Sequence, residues 1–279
     1  MSFWNWLLKK PDIKHTEALL NHTATFSSIS NMIEIQNKLI EINGNIEISL
    51  KNCSTLSAEN IMLLSSIFLI RHSLNQRTIL SFGDNQKLLN YLTEINFIEG
   101  IRTKEFNMEL KPFKTEDEIK QICDKIRSSS KFINIDKEER NILISKIYEL
   151  LINSWEHGYN NIGAICHCYY KNKKFNFSVY DFGIGMPDKV RKYLNNESIP
   201  DIDAIKWTLT SRNSTVLTSD SIFPRGGGLK LIEKFLKDYN AKLLICSGNA
   251  YYLIYGEKTI TRTLPNKIPG TLITLSVPI

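Results

Sequence analysis

The sequence predicts an α/β protein with two domains, a small one over residues 1–110 and a larger one over residues 117–279. Strand and helix patterns alternate through the first 110 residues, and a short polar link with a proline follows. Beyond the link, a long apolar helix precedes several strand patterns. A chain of 279 residues is long enough to form two such domains.

The composition fits a globular protein, with 42% hydrophobic and 23% charged residues. No secretory signal is evident, and the most apolar run is too short to cross a bilayer, so we expect a cytoplasmic protein with no membrane partner. The net charge of +6 is spread along the chain. This pattern disfavours nucleic acid as a partner, because no basic stripe alternates with aromatic residues.

The five cysteines are odd in number and scattered, which indicates a reducing compartment. Cys166 and Cys168 flank His167, and the three residues together suggest a metal site. Alternate residues of a strand point to opposite faces, however, so His167 would face away from both cysteines. No second pair of ligands accompanies them, so the sequence argues against zinc.

The first domain is predicted to alternate strands and helices after a polar, weakly helical start. Ser57 is the expected N-cap of the first helix, because its hydroxyl precedes a run of apolar residues. The predicted elements are a strand at 45–50, a helix at 57–70, a strand at 77–82, a helix at 87–95 and a strand at 103–110.

The element order of this domain, with Tyr91-Leu92 and Asn96-Phe97 after the second helix, resembles a STAS-like module. Such modules are often fused ahead of small ATPases. The resemblance implies that the domain docks a regulatory protein and is not itself a catalyst.

The second domain is predicted to begin with two helices, the second with Asp136 as N-cap and Gly158 at its end. A polar stretch at 188–225 is long enough to be a lid. The predicted elements are helices at 116–128, 136–158, 202–209 and 229–239, and strands at 164–170, 174–180, 242–247, 251–255, 259–263 and 271–277.

The helix at 136–158 carries polar side chains on one face. Glu149 and Asn153 are four residues apart, and Glu156 follows seven residues after Glu149, so all three lie on the same side of the helix. Such a face is either a solvated helix edge or part of a ligand site, and other motifs must decide between the two.

A second motif, Asp181-Phe-Gly183-Ile-Gly185-Met186, follows a predicted strand. Asp181 at the strand end would accept a hydrogen bond from the exocyclic amine of a purine, which favours adenine over guanine. Gly183 and Gly185 would let the backbone approach the base without a side-chain clash.

A third motif is the run Gly226, Gly227 and Gly228, which opens a helix at Leu229. Backbone N–H groups at a helix start favour phosphate. Arg225, just before the run, would reach a γ-phosphate. Its alternative role, as an ordinary solvated loop charge, is equally open.

The three motifs together predict a magnesium nucleotide as ligand. Asn153 offers a neutral oxygen to Mg²⁺, which prefers oxygen ligands. Glu149, next to a water on the phosphate side, is placed to act as a general base.

Residues 117–279 resemble the GHKL (Bergerat-fold) ATPase superfamily, and within it the anti-sigma-factor serine kinases and related stand-alone, histidine-kinase-like bacterial ATPases. The matching segments are residues 149–158 as N box, 181–186 as G1 box, 226–229 as G2 box and 269–275 as closing strand. The resemblance implies a two-layer α/β sandwich with a mixed sheet and Mg²⁺-ATP bound under a mobile lid. It also implies that Thr271 lies near the adenine beside Asp181, and that Met186 and Glu156 neighbour the nucleotide.

One departure from the family is Pro224, which stands where a glycine usually precedes the G2 box by two positions. Glu149 occurs in hydrolysing members and in kinases alike, so it leaves hydrolysis and phosphotransfer both open. We therefore expect an ATPase or serine/threonine kinase acting with a regulatory partner, which is STAS-like or sigma-factor-like. The alternative is a non-catalytic ATP-responsive switch. A homodimer is left open.

Overall fold

The computed structural model describes residues 26–53, 56–95, 111–129, 136–157, 162–210 and 234–279. The chain divides into two compact units, Met1–Leu110 and Lys111–Ile279. Both contain helices and strands, so the predicted α/β class is confirmed. Within the described ranges, none of the helices combines the length and the apolar character needed to span a membrane.

The first unit contains a strand–helix–strand motif preceded by one helix and followed by another. β1 and β2 pair in parallel, with Ile46 opposite Thr78. The predicted cap is present, since Ser57 Oγ accepts from Asn60 N at 3.2 Å. The elements are α1 (Phe26–Glu41), β1 (Ile46–Ser49), α2 (Ala58–Ser73), β2 (Thr78–Ser81) and α3 (Gln86–Glu94). The strand predicted at 103–110 lies outside the described residues.

Arg71 is fully buried in the first unit and bonds mainly to backbone oxygens. Its guanidinium donates to the carbonyls of Leu39 and Ile42 at 2.6 Å each and to that of Gly44. These carbonyls lie at and just beyond the end of α1, where the helix dipole is negative. Arg71 therefore closes α1 and fixes the chain that leads into β1.

The second unit is built on a five-stranded sheet of order β3-β4-β5-β7-β6. Helix α5 packs on β4 and β5, while α6 and α7 pack on β6. The elements are β3 (Lys111–Phe113), α4 (Glu116–Arg127), α5 (Lys137–His157), β4 (Ala164–Lys171), β5 (Lys174–Asp181), α6 (Met186–Leu194), α7 (Asp201–Thr210), β6 (Lys242–Tyr255) and β7 (Lys258–Pro278). Residues 234–238 are also helical.

The described pairings of this sheet are all antiparallel, so the mixed sheet expected from the family resemblance is not found in them. Hairpins account for two of the four pairings, β4–β5 and β6–β7, because two-residue turns join only antiparallel strands. Asn172 and Lys173 both have positive φ between β4 and β5, as a type I′ turn requires.

The boundary between the two units falls at the start of the predicted link, between Leu110 and Lys111. The link itself is not a loop, because Lys111–Phe113 forms β3 and pairs with β4. Pro112 is tolerated since β3 lies at the sheet edge. Thr115 then begins α4 with a capping box, in which its side chain bonds Glu118 N and Glu118 bonds back.

The predicted polar loop after residue 187 is also wrong at its start, because Met186–Leu194 forms α6. Four predicted strands near the C-terminus are instead two long ones, β6 and β7. In β6 the gap is a bulge around Gly248, and in β7 the prolines that interrupt the pattern lie within a continuous strand.

Candidate functional site

The end of β5 buries the carboxyl group of Asp181, which is only 4% exposed. Its Oδ1 accepts from Gly183 N at 2.9 Å, within the loop that follows the strand. Thr271 is its partner across the β5–β7 ladder, and both the backbone N–H and the hydroxyl of Thr271 donate to the carboxyl. The structure thus places two of the predicted site residues, Asp181 and Thr271, side by side.

Burial raises the pKa of Asp181 to about 7, because water no longer solvates the charged form. The bond from Gly183, the nearby positive charge of Lys189 and the two bonds from Thr271 oppose this shift. The carboxyl is therefore an acceptor whose charge changes close to neutral pH.

Ser247 of β6 connects the loop after β5 to the closing strand, and sequence reasoning missed it. It is completely buried, and its Oγ accepts from Met186 N at 2.9 Å. The same Oγ lies 3.0 Å from both Gly270 O and Thr271 Oγ1. No motif marks Ser247, and only its register opposite Thr271 would have revealed it.

Two glycines let these segments approach closely. Gly270 has φ +87°, and a Cβ there would lie 2.0 Å from the backbone oxygen of Asp181. Gly185 also has φ +87°, and a Cβ there would lie 3.1 Å from Ser247 Oγ. Gly183 contributes its N–H, and its φ is not positive. Gly185 and Gly270 therefore allow close packing of the loop after β5 against β6 and β7, and the predicted approach of a base to Gly183 and Gly185 stays a prediction.

Helix α5, which carries Glu149 and Asn153, packs on β4 and β5. Glu149 Oε2 accepts from Lys146 Nζ at 3.2 Å, and their side chains are 35% and 7% exposed. Asn153 is half-buried, and its carboxamide makes no hydrogen bond to another residue in the described ranges. The helix begins as predicted, since Asp136 Oδ1 accepts from Glu138 N at 2.7 Å.

Lys189 lies near two predicted site residues, one on α5 and one on β5. It is half-buried on α6, close enough to both Glu156 of α5 and Asp181 of β5 for their charges to interact. Burial lowers the pKa of Lys189, and the two carboxylates oppose that shift. Sequence patterns do not mark this lysine, because they predict a polar loop from residue 188 onward.

A partly buried ion-pair cluster holds α6 against the bulge of β6. Arg191 donates to Asp188 at 2.6 Å and also pairs with Asp201. The other oxygen of Asp201 accepts from Asn249 N at 2.6 Å, just after the bulge. This cluster fixes the position of the helix that carries Lys189 and Met186.

Met186 opens α6, and its Sδ lies 3.3 Å from Thr208 Oγ1 of α7. The remaining predicted site residues lie outside the described residues. They are Arg225, Gly226, Gly227, Gly228 and Leu229.

The described side chains offer few ligands for a metal ion held by protein alone. No group of three or more His, Cys, Asp or Glu side chains that could hold a metal ion occurs in the part of the chain described. The buried thiols of Cys166 and Cys168 have raised pKa values because of burial, which disfavours the thiolate that zinc requires. A single amide oxygen, such as that of Asn153, would suit Mg²⁺ if phosphate and water completed its shell.

Comparison with known proteins gives no relative, since no protein-family model and no curated protein matches the chain.

Proposed function

We propose that residues 111–279 bind ATP with Mg²⁺ in the manner of GHKL-type ATPases, and hydrolyse it or transfer its γ-phosphate to a partner protein. The observation that carries the proposal is the Asp181 carboxyl, buried at a strand end beside Thr271. A buried carboxyl of this kind suits a ligand that offers an N–H donor, as the adenine amine does.

The base would lie over the loop between β5 and α6. There Gly185 and Gly270 keep the backbone free of Cβ atoms, and Ser247 fixes Met186 N. Asp181 would accept from the exocyclic amine of adenine. Guanine presents a carbonyl oxygen at the corresponding position, and that oxygen would face the carboxyl without a donor between them.

The phosphates would extend towards α5. Asn153 would ligate Mg²⁺, whose role when bound is to neutralise phosphate charge. Glu149 would orient and deprotonate the attacking water or hydroxyl. Lys146, bonded to Glu149 at 3.2 Å, would hold that carboxylate in one rotamer.

A second candidate is an ATP-responsive switch that binds nucleotide with little or no turnover. The contact between Lys146 and Glu149 favours it, because a carboxylate oxygen that accepts a hydrogen bond from Lys146 is less available to an attacking water. In either case we propose a cytoplasmic protein whose first unit docks a STAS-like or sigma-factor-like regulatory protein.

Radiolabelled γ-phosphate ATP distinguishes these functions. Wild type is expected to release or transfer label, whereas Glu149→Ala should lose at least about 100-fold in rate while retaining nucleotide, because a general base contributes a factor of this size. Lys137→Ala, at the exposed start of the same helix, is the matched control and should behave as wild type.

Each outcome assigns one activity. Free phosphate indicates an ATPase, and label on a co-purified protein indicates a kinase. Tight binding of Mg-ATP with neither product supports the switch. Binding of Mg-ATP that is unchanged in both Asp181→Asn and Asn153→Ala would reject the site altogether.

A further inference from the structure

The β6–β7 hairpin extends beyond the rest of the sheet and leaves one edge of β7 uncovered. β7 pairs with β5 only over residues 271–278. Over residues 258–263 it pairs with β6 alone, from Lys258 opposite Tyr255 to Thr263 opposite Ala250. Among the described residues, no strand lies against the other side of this six-residue segment, which we call the β7 edge.

The register shows which backbone groups the β7 edge presents. Residues 256 and 257 form a two-residue turn in which Gly256 has φ +57°. The pair that closes such a turn, Tyr255 and Lys258, is hydrogen-bonded in both directions, and bonded and non-bonded pairs then alternate. The N–H and C=O groups of Thr259, Thr261 and Thr263 therefore point away from β6.

The side chains of the β7 edge are all exposed. Lys258, Ile260 and Arg262 share one face, because residues two apart in a strand point the same way. Ile260 is 44% exposed, and Tyr255 on the same face of the neighbouring strand is 49% exposed. An apolar centre thus lies between two positive charges.

The positive charge near the β7 edge determines which kind of partner strand can pair with it. Residues 258–267 contain Lys258, Arg262 and Lys267 and no acidic residue. A second copy would bring three more positive charges to the same short segment, and like charges on adjacent strands repel. An acidic strand would instead pair its charges with them.

We propose that the β7 edge binds an extended acidic segment of a partner protein as a sixth strand of the sheet. Backbone bonds to Thr259, Thr261 and Thr263 would supply the pairing. The residues facing Lys258, Ile260 and Arg262 would then be acidic, apolar and acidic, each separated by one residue. These are the non-bonded pairs, in which the side chains come closest. The inference is independent of nucleotide binding.

A labelled peptide containing Glu-Thr-Val-Thr-Glu tests the proposal by fluorescence anisotropy with the full chain. Wild type should bind it, and a peptide with Lys in place of both Glu residues should bind at least about ten-fold more weakly. Thr261→Pro should weaken binding by a similar factor, because it removes an outward N–H but no bond to β6. Thr261→Ala keeps the N–H and should bind within about two-fold of wild type.

Modified peptides test the same bonds on the unaltered protein. N-methylation of the two Thr amides, which would face the β7 edge, should abolish binding. N-methylation of the Val amide, which would point away, should not. The comparison of N-methylated peptides remains decisive if Thr261→Pro fails to fold.

Three results would overturn the proposal. The first is that wild type does not bind the acidic peptide, or binds both N-methylated forms equally. The second is that wild type self-associates through this edge and Thr261→Pro does not, which would assign the edge to a second copy. The third is that a single-stranded oligonucleotide binds more tightly than the peptide and is unaffected by Thr261→Pro.

Discussion

Asp181 combines deep burial with three hydrogen-bond donors from Gly183 and Thr271, and its pKa is still raised to about 7. The free-energy cost of removing the charged carboxylate from water therefore exceeds the stabilisation that these donors provide. A ligand with an N–H donor would add a further bond to the carboxylate. Burial of the charged carboxylate therefore destabilises the folded state, and a bound N–H donor would offset part of that cost.

The pKa of Asp181 predicts a dependence of stability on pH. In the unfolded chain its pKa is about 4, so between about pH 4 and 7 the folded state holds a proton that the unfolded state has lost. The stability of wild type relative to Asp181→Asn should therefore fall as pH rises through this window and level off above it. Urea unfolding followed by tryptophan fluorescence measures the difference, since Trp155 and Trp207 both lie in the second unit.

The comparison with Asp181→Asn removes the contribution of all other titrating groups. Asp203→Asn, an exposed change in the first turn of α7, is the control and should leave the slope of wild type intact. A constant stability difference between wild type and Asp181→Asn from pH 4 to 8 would contradict the assigned pKa.

Lys189 should lower the pH at which Asp181 loses its proton. Its positive charge favours the carboxylate, so Lys189→Met should move the midpoint of the Asp181-dependent change above about pH 7. Lys189→Arg keeps the charge and should leave the midpoint near its wild-type value. The same unfolding series measures both variants, and a midpoint that Lys189→Met leaves in place would exclude the interaction.

The conformation of the loop after β5 depends on the close approach of β7 at Gly270. Gly270→Ala would place a Cβ 2.0 Å from the backbone oxygen of Asp181, and φ +87° adds strain. We expect a loss of more than about 2 kcal/mol in the free energy of unfolding. Thermal and urea unfolding of the purified variant measure it.

Gly256→Ala is the matched control for Gly270→Ala. Gly256 also has positive φ, but a Cβ there would meet only Asn240 Oδ1, at 3.8 Å. It should cost about 1 kcal/mol, which is the backbone term alone. Equal losses in the two variants would show that the contact with Asp181 is unimportant.

Periodicity and cap signals predicted most elements, because those signals are local. Ser57 and Asp136 mark helix starts that the structure confirms. The signals failed where position depends on distant partners. Pro112 lies in a strand only because β4 pairs with it, and Ser247 belongs to the site only because its register sets it opposite Thr271. Lys189 was missed with the short helix that carries it.

At the scale of the whole molecule, the chain combines a parallel two-stranded unit with an antiparallel five-stranded unit. The second unit brings Asp181, Thr271, Gly185 and Met186 together around Ser247. Its helix α5, which carries Glu149 and Asn153, packs on β4 and β5. The sequence motifs thus predicted that Asp181 and Thr271 lie side by side, whereas the roles of Glu149 and Asn153 stay predictions.

Isothermal titration of wild type with Mg-ATP and Mg-GTP tests the central claim, that Asp181 recognises adenine. ATP should bind at least about ten-fold more tightly than GTP, and Asp181→Asn should lose most of this preference while Asp203→Asn keeps it. Failure of wild type to bind ATP, or an undiminished preference for ATP in Asp181→Asn, would contradict recognition of adenine by Asp181.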